Sequence, residues 1–251
     1  MPGERAGPPT GDVAVPPAVR RAAGGAPLRA VWRNELGGLT FAAGDPPERY
    51  VKWLPAGTDP ALADLGAEEA RLRWVAGRSP VPEVLGSGAD ADGSWLVTRA
   101  LPGRSAVDPR WADDPEPVVR AIGTGLRALH DALPVDGCPF DWSPAHRLRH
   151  LQPAFEHLRA RLSDPPPVDR LVVCHGDPCA PNTLVADDGT WVGHVDLGAL
   201  GVADRWADVA VAGMSLGWNF GPGWEPVLLD AYGIEPDRER RDHYRLLWDC
   251  T

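Results

Sequence analysis

Lysine is nearly missing from this chain. Of its 25 basic residues only Lys52 is a lysine; the others are arginine. That bias accompanies abundant alanine, glycine and proline and fits a GC-rich coding background. It makes Lys52 informative, because a compact ammonium is not interchangeable with a wide planar guanidinium. Cysteine is scarce as well. Cys138, Cys174, Cys179 and Cys250 lack paired CxxC spacing, which indicates neither a disulfide framework nor a zinc site. Cys174, His175 and Cys179 lie close in sequence, but no second ligand pair follows them. No apolar run reaches the roughly 18 residues of a membrane span, and the N-terminus shows no apolar leader segment. The expected location is therefore the cytoplasm, with no membrane partner. A net charge of −10 makes nucleic acid an unfavourable partner and permits a cationic ligand.

What is present describes a folded domain. Hydrophobic residues make up 43% and charged residues 24% of the 251, enough for a proper core. The length suits two lobes of roughly 100 and roughly 150 residues. Residues 1–14 read as a mobile tail, 15–101 as an N-lobe and 102–251 as a C-lobe. In the N-lobe, PPAVRRAAG suggests a short helix, and LRAVWRNE, LTFAAG and RYVKWL suggest strands separated by glycine- and proline-rich turns. TDPALADLGAEEARLRWVAG predicts a helix capped by Thr58 or Asp59, with Pro60 at its first position. Its apolar stripe is Ala61, Leu65, Glu68, Leu72 and Val75, so Glu68 faces the core and requires a partner. SWLVTRAL is a further strand.

The C-lobe pattern is helical. Val119, Ile122, Leu126, Leu129 and Leu133 recur at helical spacing. AHRLRHLQPAFEHLRARL predicts a second helix that Pro153 bends or interrupts. Helices resume at ADRWADVAVAG, after Pro226 and after Asp237. Between them, LVVCHGDPCAPNTLV (171–185) reads as a buried strand end followed by a polar loop, and NTLV-ADDGT-WVGHVD as a hairpin. The hairpin brings Asn182 and Asp196 close to Asp177. An amide oxygen and a carboxylate are hard ligands that suit Mg²⁺, and a nearby carboxylate suits proton removal from an attacking hydroxyl. With Lys52 for phosphate charge and Glu68 as its ion partner, this is the set that phosphoryl transfer requires. The turn Leu36-Gly37-Gly38-Leu39 could cover phosphates.

HGDPCAPN resembles the catalytic loop of kinase-like phosphotransferases, and VDLG resembles their metal-binding motif. VVCHGDPCAPN and VDLGALGVADRWADVA together resemble the aminoglycoside phosphotransferase family, the 3′- and 3″-enzymes above all. Further similarity lies in YVK, WVAGRSPVPEVLGSG, LHDALPVDGCPF and HYRLLWDCT, so it runs from about residue 30 onward. The resemblance implies an α+β, bilobal protein-kinase-like fold, with a small N-lobe of antiparallel sheet plus one helix and a larger, mostly helical C-lobe. It implies transfer of the γ-phosphate of ATP (or GTP) to an aminoglycoside hydroxyl, 3′ before 3″, by a monomer or weak dimer that confers antibiotic resistance.

Residue by residue, the resemblance implies Asp177 as catalytic base, Asn182 and Asp196 as Mg²⁺ ligands, and Lys52 with Glu68 on the nucleotide phosphates. Tyr50 would stack on adenine, the backbone at Thr98 and Ala100 would pair with its edge, and Gly37, Gly38 and Val195 would complete the nucleotide set. Asp208 would tie down the catalytic loop, His175 would be structural, and Asp204 and Arg205 would cap and brace the following helix. The acceptor region departs from the family: the acidic segment after CPF is short and arginine- and histidine-rich (141–170), and LLWDCT replaces an acidic terminus. Asp249 and the terminal carboxylate of Thr251 are the remaining expected acceptor contacts, and Trp218, Trp224 and Trp248 offer aromatic faces. The competing readings are a kinase of another small hydroxylated antibiotic or metabolite, and a nucleotide-binding pseudoenzyme.

Overall fold

The computed structural model describes residues 7–60 and 62–251. The chain is α+β and divides into two compact units, one comprising residues up to Ala76 with Pro82–Ala100, the other Gly77–Val81 with Leu101–Thr251. Among the described residues, no helix is long and apolar enough to cross a membrane.

The first unit is built on an antiparallel sheet. Strands β1 (Leu28–Arg33), β2 (Leu39–Gly44), β3 (Pro47–Pro55), β4 (Val84–Ala89) and β5 (Gly93–Arg99) lie in the order β1-β2-β3-β5-β4. Side chains alternate across a strand. Phe41, Val51 and Val97 accordingly point to one face, where they pack with Val19 of helix α1 (Pro17–Ala23). Lys52, between Val51 and the next inward position, points to the opposite face, toward helix α2 (Leu65–Val75). Residues 1–6 of the expected tail lie outside the described residues; Gly7 pairs with Arg33, and Val13 and Val15 pack on the Val19 cluster.

Two sequence expectations change here. Helix α2 starts later than the Thr58-Asp59-Pro60 signal suggests: its cap is Asp64, whose Oδ1 accepts the N–H groups of Gly66 at 2.8 Å and Ala67 at 3.2 Å. Ala61, counted in its stripe, lies outside the described residues. Strand β4 has no expectation behind it. Its sequence, VLGSGA, places glycine where an alternating strand would carry apolar side chains.

In the second unit, α3 (Glu116–Ala132), α6 (Trp206–Phe220), α7 (Glu225–Tyr232) and α8 (Arg238–Cys250) surround a core that includes Ile122, Leu126, Trp142, Trp206, Tyr232 and Leu247. Two small antiparallel pairings support the loops: β7 (Leu171–Cys174) with β10 (Gly201–Asp204), and β6 (Arg104–Ser105) with the hairpin of β8 (Thr183–Val185) and β9 (Trp191–His194). The helix expected over residues 145–162, bent or interrupted at Pro153, is broken into shorter pieces than that. In its place stand α4 (Pro144–Arg147), two 3₁₀ turns (Leu148–His150 and Pro153–Leu158) and α5 (Arg159–Leu162). Pro144 and Pro153 each open a new short segment, where the missing N–H and fixed φ are tolerated, and neither sits inside a longer helix.

Candidate active site

In the first unit, Lys52 and Glu68 meet as the sequence suggests. The Lys52 ammonium donates to Glu68 Oε1 at 2.7 Å and Oε2 at 2.9 Å, and Glu68 is only 5% exposed. A carboxylate that buried is stable as an anion only with such a partner. Tyr50 and Thr98 sit directly opposite each other on β3 and β5, on the same face as Lys52. Two of the expected nucleotide positions make bonds within the first unit. The N–H of Ala100 donates to Glu48 O at 3.0 Å, so in this conformation it is not open to a base edge. The Gly37-Gly38 turn is likewise occupied by its own chain. Asn34 Oδ1 accepts from Gly38 N–H at 2.6 Å and Leu36 N–H at 3.1 Å, while Gly37 N–H donates to Asn34 O at 3.1 Å. A Cβ at Gly38 would lie 2.6 Å from Leu54 Cδ2 and 2.7 Å from Asn34 Nδ2, so a side chain there would displace the ends of both. Asn34 received no role from the sequence, although an Asn side chain that accepts the amide two residues on is a recurrent turn device.

The polar loop of the second unit leaves β7 and is fastened at both ends. Asp208, wholly buried on α6, accepts the N–H of His175 at 2.6 Å, the N–H of Gly176 at 2.9 Å and His130 Nε2 at 2.8 Å. Burial alone would raise its pKa, but the bond from His130, with the loop amides, holds it below the ordinary carboxylate value. The Tyr232 hydroxyl meets His130 Nδ1 at 2.8 Å and extends the network to α7. His130, Cys174 and Asp208 lie close enough to ligate a metal, yet these bonds already use both His130 nitrogens and both Asp208 oxygens. Gly176 has φ +85°, and a Cβ there would lie 2.2 Å from Ala199 O, so no other residue fits. The His175 ring bonds Val195 O through Nε2 at 3.0 Å and the Asp177 N–H through Nδ1 at 3.3 Å, a bracing position.

Asp177 is the exception to full pairing. Its Oδ2 and backbone carbonyl accept from Asn182 Nδ2, at 3.3 and 2.9 Å, but its buried Oδ1 makes no standard hydrogen bond among the described residues. Burial, and then the charge of Asp196, push its pKa above the ordinary carboxylate value; a bond from Cys179 partly offsets this. Burial and the neighbouring Asp177 charge push the Cys179 thiol well up, so it stays a neutral donor. Asn182 spends its NH₂ on Asp177, which turns its carbonyl oxygen away as a ligand. Val195 N–H donates to Asn182 O at 2.9 Å and so brings the next residue, Asp196, alongside. Asp196 has φ +65°, the only positive value among described non-glycine residues, the kind of strain that functional positions retain. Two hard oxygen donors beside a buried carboxylate fit a divalent cation such as Mg²⁺.

Residues 19–244 match the model of the phosphotransferase enzyme family. The chain is 36% identical over 238 residues to aminoglycoside 3′-phosphotransferase of Streptomyces fradiae, covering 83% of this chain and 88% of that protein. It is 35% identical over 254 residues to streptomycin 3″-kinase of Streptomyces griseus, covering 86% and 89%. The solved aminoglycoside-3′-phosphotransferase of type VIII superposes with a TM-score of 0.73 at 30% identity, over 93% of this chain and 98% of that one. This chain belongs to the aminoglycoside phosphotransferase family.

In this phosphotransferase, Asp204 Oδ1 accepts the N–H of Trp206 at 2.9 Å and so satisfies the start of α6, and Arg205 donates to Asp169 at 2.6 Å. Asp249 is exposed on α8. The Thr251 hydroxyl is used internally: it donates to Leu247 O at 2.7 Å and accepts from Arg147 Nε at 3.0 Å. Arg147 is a residue that sequence reading missed. Its guanidinium lies 5.0 Å over the ring of Trp142, whose Nε1 donates to Gly176 O at 3.1 Å, and its charge is felt at Asp177. The only signal available was the arginine-rich character of residues 141–170.

Proposed function

We propose that this chain transfers the γ-phosphoryl group of ATP to a hydroxyl of an aminoglycoside, the 3′-hydroxyl ahead of the 3″, and thereby confers resistance. The observation that carries the reading is the buried Oδ1 of Asp177, which makes no standard hydrogen bond among the described residues, beside Asn182 and Asp196. Asp177 orients the acceptor hydroxyl and takes its proton as the oxygen attacks the γ-phosphorus and ADP leaves with the former bridging oxygen. Lys52, fixed by Glu68, holds the nucleotide phosphates, with Tyr50 beside the base. Asn182 and Asp196 hold Mg²⁺, which supplies charge neutralisation at the phosphates. Asp208, through His130 and the loop amides, keeps Asp177 at a fixed position without touching either substrate.

Named relatives support the acceptor class. The Streptomyces fradiae protein is an aminoglycoside 3′-phosphotransferase, and the Streptomyces rimosus phosphotransferase APH(3″)-Id, 29% identical with a TM-score of 0.69, was solved with ADP and streptomycin. The second of these, with the streptomycin 3″-kinase relative, favours 3″ transfer as the alternative. Exposed Asp249 supplies an anion for an acceptor ammonium. The test is purified protein with ATP, Mg²⁺ and a panel of aminoglycosides, with the product's site read by ³¹P–¹H NMR. Phosphate on a 3′-oxygen is expected. Turnover of none of them, while another hydroxylated antibiotic or metabolite is phosphorylated, would refute the aminoglycoside reading.

A further inference from the structure

Lone exposed hydrophobic side chains are ordinary on a protein surface. Trp218 is a different case. It is 58% exposed near the end of α6, and its ring lies against that of Trp248 on α8, centroids 5.9 Å apart and planes tilted by 42°. Trp248 is half-buried, with one side packed on the core. Two indoles from different helices thus share one surface, with one ring anchored and the other open to solvent.

The position of this pair follows from its neighbours one turn away. Ser215 precedes Trp218 by three residues, just under one helical turn and about 4.5 Å along the axis. Its Oγ accepts the N–H of Ala180 at 2.9 Å, within the catalytic loop. On the other helix, Thr251 lies three residues beyond Trp248. Its hydroxyl accepts from Arg147, which stacks on Trp142, which in turn bonds Gly176 O, the residue before Asp177. Both tryptophans are therefore one turn from a contact that leads to the catalytic loop.

We infer that Trp218 and Trp248 form an aromatic platform for a second ring of the acceptor, one not itself phosphorylated, which stacks through its apolar C–H face. The inference rests on the aminoglycoside reading and narrows it. Recognition at this end then combines contact with indole and the single exposed carboxylate of Asp249, which follows Trp248 in the chain. Indole suits the purpose, being a large rigid face that loses little rotamer entropy on binding. The sequence bears this out locally: GMSLGWNFGPGWEP has a single acidic residue, Glu225, and Arg241 and Arg245 already pair with it.

The experiment compares wild type with Trp218→Ala, Trp218→Phe and Trp248→Phe, using a multi-ring aminoglycoside and a single-ring aminosugar carrying the same reactive hydroxyl. Trp218→Ala should raise the acceptor KM of the multi-ring compound by roughly tenfold, leave the ATP KM unchanged and leave the single-ring KM unchanged. Trp218→Phe should restore most of the loss, and Trp248→Phe should fall between. Binding of the multi-ring compound should also quench tryptophan fluorescence in wild type more than in Trp218→Ala. An unchanged multi-ring KM in a Trp218→Ala variant with native circular dichroism overturns the platform, as does an equal rise for both compounds. Wild type that phosphorylates no aminoglycoside overturns the functional reading itself, an outcome distinct from turnover that ignores Trp218.

Discussion

Lys52 is where a single residue carries the most information. Its burial beside Glu68 leaves one ammonium, in a chain with no other lysine, to meet phosphate charge. Lys52→Ala should lower kcat/KM for ATP by roughly 10²–10³-fold, measured in a coupled ADP-release assay. Lys52→Arg should recover little of this, because the fork cannot hold the same point contact with Glu68. Asp177→Asn should lower kcat by roughly 10²–10⁴-fold with acceptor and ATP KM values near wild type, since it retains shape and removes the base. These two residues were legible because their chemistry is fixed by type and spacing. Arg147, Cys179 and Asn34 were not, since each acquires its role from a neighbour distant in sequence or from a turn conformation that no motif encodes.

His194 gives a prediction that depends on pH. It is wholly buried on β9, its ring lies 5.4 Å from that of His175, and burial, then the His175 charge, push its pKa down to about 3. Its unfolded value is the ordinary one near 6.5. The native state thus keeps it neutral while the unfolded chain takes up a proton, so stability is complete above pH 6.5 and is lost as pH falls toward 3. The loss should be about 2 kcal/mol by pH 5 from this residue. Urea midpoints of wild type and His194→Gln at pH 7 and pH 5 test it: the variant should be less stable at pH 7 but decline less between the two.

At the scale of elements, the differences between sequence pattern and structure have separate physical causes. Thr58-Asp59-Pro60 is a valid helix start, but α2 begins at Asp64, where a carboxylate meets two unpaired amides and Leu65 can enter the core. Asp64→Ala should cost about 1 kcal/mol in urea denaturation and should not alter the Lys52–Glu68 pairing, so ATP KM should hold. Strands β1, β2, β3 and β5 carry the apolar, aromatic and β-branched residues that mark a strand; β4 alternates in burial but not in sequence, because its glycines carry no side chains to pattern. Residues 145–162 failed as one helix because Pro153 divides the segment and its apolar anchors, Leu148 and Leu162, enter the core from different short turns. The catalytic loop shows the opposite case, where local sequence and long-range packing agree. At Gly176, Ala should be poorly tolerated, since its Cβ meets a backbone oxygen at 2.2 Å in a left-handed conformation. Soluble yield and circular dichroism of Gly176→Ala report that directly.

For the whole molecule, ligand linkage offers a readout that needs no turnover. A ligand that binds only the native state adds stability of about 2.7 kcal/mol at a concentration 100 times its Kd. For a chain of this size each kcal/mol moves Tm by roughly 2–4 °C, so ADP with Mg²⁺ at that level should raise Tm by roughly 5–10 °C. The residues assigned to the metal, Asn182 and Asp196, offer only two donors, so nucleotide phosphates and water must supply the rest. Mg²⁺ alone should then give almost no shift, and ADP with EDTA a smaller one than ADP with Mg²⁺. Asp196→Asn should bring the two ADP curves together while leaving the EDTA curve where it was. Lys52→Ala should depress both. If Mg²⁺ alone stabilised the protein as much as Mg²⁺ with ADP, the metal would belong to a complete protein site, and the assignment of Asn182 and Asp196 as a half-built one would fail.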